Sequence, residues 1–474
     1  MVRRVAPPKR SAHERIADFR EIELLLDERT VREQASRCLH CPEPMCRTGC
    51  PLANRIPEWL ALAAEGKFLE ASALSNLTSN MPEICSRVCP QEKLCEGACI
   101  LNARSDPVAI GAVEKFINEY ALARGEIHGQ TVQRNGRRVA VVGSGPGGLA
   151  CADELAKLGY SVTVFESQGV PGGLLMTGIP SFKLESAVVE RRLDVLRQRG
   201  IVFRLGITIG RELSLGELRK RHDAIFLAIG AQVPKVPEVP GVGLKGVADA
   251  LPFLAQTKVG ALAKVPPIDV TGKRVAVLGG GDTAMDCLRS AIRRGAREAV
   301  CLYRRDLANM PGSRKEYYHA LEEGARFHFL TNPIAIEGNA NDEVTQVRCV
   351  RMELGEPDAS GRRKPKTVPG SEFVTPADLA LIAYGFDPPP TPSVTPLLKI
   401  ATNDWGGVIV NADQTTSVPG IFAGGDLVRG PSLVVHAVRD GRNAAAGIDR
   451  YLSGQKGETL AEHSPALHQH VSAA

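Results

Sequence analysis

The strongest constraint on this chain is a short pattern that occurs twice. In RRVAVVGSGPGGLACADELAKLGYSVTVFES an apolar run over 139–142 leads into Gly143-x-Gly145-x-x-Gly148, a helical stretch, and a second apolar run ending at Glu166. KRVAVLGGGDTAMDCLRSAIRRGAREAVCLYRRD repeats the order with Gly279-x-Gly281-x-x-Ala284. The glycines permit a tight turn and let the backbone approach a pyrophosphate at the positive end of a helix dipole. Alanine serves at the third position because that residue has only to be small where helix meets strand. One such turn alone is weak evidence. Set between strand and helix, with an acidic residue closing the second strand, it becomes a dinucleotide-binding fingerprint. The contacts expected are Gly143, Gly145, Pro146, Gly147, Gly148 and Glu166 in the first copy, and Gly279, Gly281, Asp282, Thr283 and Ala284 in the second.

The copies differ in charge where the second strand ends. Glu166 suits the ribose hydroxyls of an adenine dinucleotide, whereas Arg304 and Arg305 stand at that place in the second copy. A carboxylate repels a 2′-phosphate and guanidinium groups bind it bidentately, so the second site is expected to take NADPH over NADH. The competing reading is two solvated arginines on a surface turn. Two such units imply one flavin site and one nicotinamide site. GVPGGLLMTGIP (169–180, with Gly173), DAIFLAIGAQVP (223–234) and SVPGIFAGGDLVRGP, with Gly424, Gly425 and Asp426, support flavin in the first. Together these motifs resemble the flavoprotein reductases with two dinucleotide-binding domains. That resemblance implies a nicotinamide domain inserted within the FAD domain, and it gives Gly425 and Asp426 a place at the flavin's ribityl and phosphate region.

Eight of the twelve cysteines fall in the first quarter of the chain. CLHCPEPMCRTGCP holds Cys38, Cys41, Cys46 and Cys50; ICSRVCPQEKLCEGAC holds Cys85, Cys89, Cys95 and Cys99. Disulfides suit small secreted domains, and the start MVRRVAPPKR runs into charged sequence without an apolar signal region. Clustered thiols in a reducing compartment more often hold metal. Zinc takes four ligands, commonly as two short Cys pairs, and two zinc sites are one reading. Three close cysteines followed by a Cys-Pro cysteine are nearer in kind to a ferredoxin run, in which the fourth cysteine serves the other cluster of a pair.

Disulfide reductases of this architecture carry a redox-active cysteine pair beside the flavin, and this chain has none at either usual place. Cys151 and Cys287, each in the helix after a glycine turn, are expected to be core packing. Electrons leaving a flavin therefore need another exit, which the N-terminal cysteines offer as two 4Fe–4S clusters. No side-chain acid or base is needed for hydride transfer, so no catalytic residue is assigned; His436 is read as structural or flavin-contacting.

CLHCPEPMCRTGCP, ICSRVCPQEKLCEGAC, GSGPGG, PGGLLMTGIPSFKL, GGGDTAMDC, YRRD and AGGDLVRGPSLVVHA closely resemble the small (beta) subunits of bacterial NADPH-dependent glutamate synthases over nearly the whole chain. The same module is similar to the N-terminal part of dihydropyrimidine dehydrogenase. The resemblance implies FAD, NADPH and two 4Fe–4S clusters. It also implies a large (alpha) subunit, carrying glutaminase and FMN sites, that makes L-glutamate from L-glutamine and 2-oxoglutarate in a hetero-oligomer. It further implies that Cys38, Cys41, Cys46 and Cys99 hold one cluster, and Cys50, Cys89, Cys95 and either Glu114 or Cys85 the other. Related modules serve other acceptors, in pyrimidine reduction or with ferredoxin, and a zinc-bound N-terminal interaction module on a flavin reductase is a further alternative.

The expected fold class is α/β: two Rossmann-like dinucleotide-binding domains, one inserted in the other, preceded by a mostly α-helical iron–sulfur domain. The expected bounds are 1–136 for the helical Cys-rich domain, 137–265 and 386–455 for the two parts of the FAD domain, 266–385 for the NADPH domain, and 456–474 for a poorly ordered polar tail. Segments such as IPEWLALAAEGKFLEASALSNL and VAIGAVEKFINEYALARG carry the helical pattern, and 126–136 is the linker. A net charge of +5 over 474 residues supports neither nucleic acid nor an anionic membrane as partner. No run of about 18 apolar residues appears, so no membrane span is expected and the location expected is cytoplasmic.

Overall fold

The computed structural model describes residues 3–259, 266–357, 361–389 and 400–454. The expected polar tail lies outside them. The chain forms two units: one takes residues 3–10, 20–233, 387–389 and 400–454, and the other 11–19, 234–259, 266–357 and 361–386.

The first unit joins a helical layer to a five-stranded parallel sheet. Its helices include Glu28–Ala35, Ile56–Ala64, Phe68–Thr78, Pro82–Val88 and Ile110–Ala123. The long apolar pattern over 56–77 becomes two helices rather than one, because the first ends at Ala64 and Gly66, at φ +83°, turns the chain in a conformation that favours glycine. Trp59, Leu60, Ala63, Val113 and Ile117 form the core of this layer. The sheet runs in the order Ile421–Ala423, Ala224–Leu227, Arg138–Val142, Ser161–Glu166, Val202–Leu205, all parallel. The strand carrying the first glycine turn is thus central and buried on both faces, which is why it reads as an unbroken apolar run.

Layer and sheet share one core. Met81, Ile84 and Cys85 pack in the same cluster as Val139, Val141 and Phe422. Arg192 Nε and Nη2 donate to Glu83 Oε1 and Oε2 at 2.7 and 2.6 Å, both side chains being buried. A buried pair of this kind fixes an orientation more than it adds stability.

The second unit repeats the plan. Its parallel sheet runs Val247–Asp249, Leu379–Ile382, Arg274–Leu278, Glu298–Leu302, Arg326–His328, with the second glycine turn again following the central strand. Beside it lies an antiparallel sheet in which Val344–Pro357 pairs with Thr331–Gly338, Arg363–Thr367 and Phe373–Pro376.

Two segments join this unit that the sequence reading placed elsewhere. Residues 234–259 belong to it because Val247–Asp249 is an edge strand of its sheet, and Phe253 and Leu254 of the following helix Ala250–Val259 sit in its core. Residues 11–19 belong to it because Arg15, 2% exposed, is drawn to the carboxylates of Glu322 and Glu323. Arg293 Nε also donates to the Asp18 carbonyl at 3.1 Å.

Candidate functional site

The eight clustered cysteines line two cavities. Cys38, Cys41, Cys46 and Cys99 line the first, with Pro44, Pro57 and Leu60. Cys50, Cys85, Cys89, Cys95 and Glu114 line the second, with Trp59, Ile110 and Val435. Each cavity draws thiols from both sequence motifs, because the turn at Cys50 follows the short helix Met45–Thr48 and faces the segment 89–95, while Cys99 returns to the first group. All twelve cysteines are free. Among the described residues no group of three or more His, Cys, Asp or Glu side chains closes on a single metal ion.

The thiols sit in apolar surroundings. Burial pushes Cys46 up to about 12 and Cys50 up to about 11, and it also raises Cys38 and Cys95. Cys89 is raised by its hydrogen bond with Cys85 and by burial. Without metal these are protonated thiols at neutral pH, and binding a cation has to displace their protons.

Glu114 projects from the helix Ile110–Ala123 into the second cavity. Its Oε1 accepts from Asn54 Nδ2 at 3.0 Å and Ser75 Oγ at 3.3 Å, while Asn54 Oδ1 accepts from Thr78 Oγ1 at 2.8 Å and Trp59 Nε1 at 3.3 Å. Burial pushes the carboxyl up to about 8. Among the described residues it has no ion pair, so the cavity holds an acid with hydrogen bonds but no counter-charge.

At the first glycine turn Gly143 has φ +99°, and a Cβ there would stand 2.3 Å from the Ala228 carbonyl oxygen. At Gly148 a Cβ would stand 2.0 Å from the Gly143 carbonyl oxygen, and at Gly145 it would meet nothing within 4 Å. The turn is closed on its protein side and open where a pyrophosphate would lie. Gly173, at φ +54°, brings the 169–180 loop against Gly145. Glu166 is 6% exposed; its Oε2 accepts from Ser144 N and Oγ at 3.0 and 2.6 Å, and its Oε1 from Gln168 N at 2.8 Å. Ser144 Oγ in turn accepts from Gly172 N at 2.9 Å, tying the acid, the turn and the loop together.

The Gly424-Gly425-Asp426 turn follows the strand Ile421–Ala423. Burial pushes Asp426 up to about 7. The turn is braced by a residue the sequence reading missed. Asp440, 1% exposed in the helix Val434–Ser453, accepts from Gly425 N at 3.0 Å and from Arg429 Nε at 2.7 Å. The same helix crosses Pro146–Lys157 so closely that a Cβ on Gly441 would stand 2.1 Å from the Gly147 carbonyl oxygen. Val435, in its first turn, is the residue that lines the second cysteine cavity. His436 Nδ1 pairs with Ser432 Oγ at 2.7 Å, and burial brings the ring down to about 4, so it is neutral at pH 7.

The second glycine turn has the same closed and open sides. A Cβ on Gly279, at φ +133°, would stand 2.3 Å from the Ala383 carbonyl oxygen, and one on Gly281 would meet nothing within 4 Å. The helix Asp282–Arg293 starts there with Thr283 and Ala284, and Asp282 Oδ1 accepts from Ser313 N at 2.9 Å. The two arginines divide. Arg304 is exposed, whereas Arg305 is 6% exposed and donates from Nε to the Arg363 carbonyl at 2.9 Å.

Comparison with known proteins places both parts of the chain. Residues 15–126 match the family of dihydropyrimidine dehydrogenase domain II, 4Fe-4S cluster, and residues 137–441 match the pyridine nucleotide-disulphide oxidoreductase family. The NADPH glutamate synthase small chain of Azospirillum brasilense is 44% identical over 454 residues, 94% of each chain. That of Escherichia coli K12 is 45% identical over 466 residues, 95% of this chain and 98% of that one. The chain belongs to the glutamate synthase small-chain family. It is an oxidoreductase. It also resembles a longer Escherichia coli K12 protein, the putative oxidoreductase AegA, at 45% identity over 94% of this chain and 69% of that one. Among solved structures, FprA of Mycobacterium tuberculosis in complex with NADPH superposes with a TM-score of 0.57 at 22% identity, covering 67% of this chain and 85% of that one. Lactococcus lactis thioredoxin reductase does so at 0.50 and 22%, over 67% and 99%. Both show the fold.

Cys151 and Cys287, expected as core packing, form no disulfide. Cys151 and Cys287 are both fully buried, in the separate helices Pro146–Lys157 and Asp282–Arg293. Among the described residues no helix is long and apolar enough to cross a membrane.

Proposed function

We propose that this chain is the electron-input subunit of an NADPH-dependent glutamate synthase. It draws hydride from NADPH at the second glycine turn, holds FAD at the first, and passes single electrons through two 4Fe–4S clusters to a large subunit that forms L-glutamate from L-glutamine and 2-oxoglutarate. The observation that carries the reading is the continuity within the first unit: the helix packed on the flavin turn ends, at Val435, on the wall of the second cysteine cavity. When bound, FAD supplies the exchange between two-electron and one-electron chemistry, and the clusters supply one-electron carriage.

The residues present fit these groups. Four thiols line the first cavity and four thiols with an acid line the second. A tetrahedral zinc draws its sulfurs to about 2.3 Å from one ion, whereas each cluster thiolate binds a separate iron and the set stands wider. Cys38, Cys41, Cys46 and Cys99 hold the outer cluster; Cys50, Cys89, Cys95 and Glu114 hold the inner one. Glu114 is preferred to Cys85 as fourth ligand because it is an acid in the cavity wall without a counter-charge, while Cys85 packs into the core shared with the sheet. Glu166 orders the first turn through Ser144 and meets the adenine ribose; Asp440 orders the second flavin contact at Gly425 and Asp426. The chain works in the cytoplasm as one partner of a hetero-oligomer.

A second reading, another acceptor served by the same relay, has a specific support: most of this chain also matches the longer AegA, named a putative oxidoreductase rather than a glutamate synthase. Affinity purification of the chain from its own cells decides between them. Co-purification of a large glutaminase-bearing chain, with NADPH-dependent glutamate formation by the pair, supports the first; an active complex with a different acceptor protein refutes it.

A further inference from the structure

The turn after the strand Glu298–Leu302 is stitched to the antiparallel sheet by an unusually dense set of bonds. Tyr303 Oη donates to the Asn309 carbonyl at 2.8 Å, and Asn309 N and Nδ2 donate to Asp306 Oδ1 at 2.9 and 2.7 Å. Asn309 Oδ1 then accepts from Arg363 N at 3.0 Å, and the Arg363 carbonyl accepts from Arg305 Nε at 2.9 Å. The first residue of the strand Arg363–Thr367 is therefore clamped across the two arginines expected to read the dinucleotide.

Arg363 itself is occupied with the hairpin. Its Nε and Nη2 donate to the Gly355 and Leu354 carbonyls, both at 2.9 Å, which closes the strand back on Val344–Pro357. Arg362, half-buried, directly precedes the clamped residue in the chain. Tyr303 reports the outcome. Burial raises its phenol, and the guanidinium groups of Arg305, Arg362 and Arg304 oppose that rise. Three cations from two separate chain segments thus act on one phenol at the lip of the second glycine turn. Gathering like charges costs free energy, and a bound dianion offsets that cost.

We propose that Arg362 is a third contact to the 2′-phosphate of the nicotinamide dinucleotide, delivered by the antiparallel hairpin rather than by the turn that carries Arg304 and Arg305. The inference rests on reading the second glycine turn as the NADPH site. It assigns a function to the antiparallel sheet, which a bare dinucleotide-binding domain does not need: the sheet supplies a phosphate-reading side chain. Arg305, turned toward the Arg363 carbonyl, becomes the residue that positions the hairpin, while Arg304 and Arg362 reach the phosphate.

The test uses the full-length chain with its cofactors. NADPH- and NADH-dependent reduction of ferricyanide is measured for Arg304→Ala, Arg362→Ala and Arg362→Lys, with binding of 2′,5′-ADP and of 5′-AMP followed by calorimetry. The Arg362→Ala change should raise KM for NADPH and weaken 2′,5′-ADP by about tenfold, the usual worth of one charge-assisted bond. It should leave kcat, KM for NADH and 5′-AMP binding unchanged, and lysine should restore part of the loss. If Arg304→Ala shifts the NADPH-to-NADH ratio and Arg362→Ala does not, the role of Arg362 is overturned while the NADPH site stands. If neither shifts it, the NADPH reading of the turn falls as well. Arg362→Gln, which keeps much of the side chain's reach, repeats the measurement should the alanine variant fail to fold, and an unchanged ratio in it overturns the proposal.

Discussion

The two cysteine cavities hold nearly the same donors but differ in their rims. Around the first, Leu39, Met45 and Ile100 are 53%, 51% and 56% exposed, so its rim is apolar and open to solvent. The second is walled by Ile56, Trp59 and Val435, which are 2%, 0% and 2% exposed, and it adjoins the helix packed on the first glycine turn. Similar donors thus stand in different surroundings. On the proposed relay, the cavity beside the first glycine turn receives electrons, and the one with the exposed apolar rim gives them to another protein.

Ligand loss should break the comparison most sharply. Cys50→Ser, in the inner set, and Cys46→Ser, in the outer one, should each lower iron by about half, since on the proposed relay each removes one of two four-iron clusters. Only Cys50→Ser should also stop NADPH-dependent reduction of the remaining cluster, followed by electron paramagnetic resonance after anaerobic addition of NADPH. Equal reduction in both variants would remove the assigned order. Next in size, Glu114→Ala should weaken iron retention against a chelator by about 10- to 100-fold, the scale of losing a supporting metal contact, while Cys85→Ala retains its iron. The reverse result hands the fourth position to Cys85.

Smaller effects sharpen the difference between the walls. Val435→Ala removes buried methyl groups between the flavin turn and the inner cavity, and should lower stability to denaturant by about 1–2 kcal/mol with iron content unchanged. Leu39→Ser and Ile100→Ser at the outer rim should change stability by no more than about 0.5 kcal/mol, because both side chains are already in water. Their cost should appear instead as weaker association with the acceptor protein, read by analytical ultracentrifugation of the mixed chains. A rim substitution that lowers stability as much as Val435→Ala would show that the two walls are alike.

Much of this was legible in the sequence because the relevant signals are local. A glycine turn needs one residue at positive φ and others without Cβ within a few positions, as Gly143, Gly148 and Gly279 show. Alternating use of the two cysteine motifs was implied by the resemblance to known relay proteins, and both cavities draw thiols from both motifs. What stayed hidden depends on contacts distant in sequence. Asp440 reads as one polar residue in an amphipathic helix until the fold sets it under Gly425. Residues 11–19 carry no mark of the second unit; they are held there by Glu322 and Glu323, some three hundred positions on. The boundary near residue 234 was missed because the edge strand Val247–Asp249 is three residues long, too short to show a period. Arg304 and Arg305 look equivalent as neighbours, and the fold separates them by burying Arg305 and bonding it to the Arg363 carbonyl.

The central claim is that the N-terminal thiols carry electrons. Iron, acid-labile sulfide and zinc per chain, measured on anaerobically purified protein, address it most directly. The account predicts about eight irons and eight sulfides, the content of two four-iron clusters. Stoichiometric zinc without iron would contradict it, leaving a nicotinamide–flavin reductase joined to a structural domain with no path for electrons to leave through it.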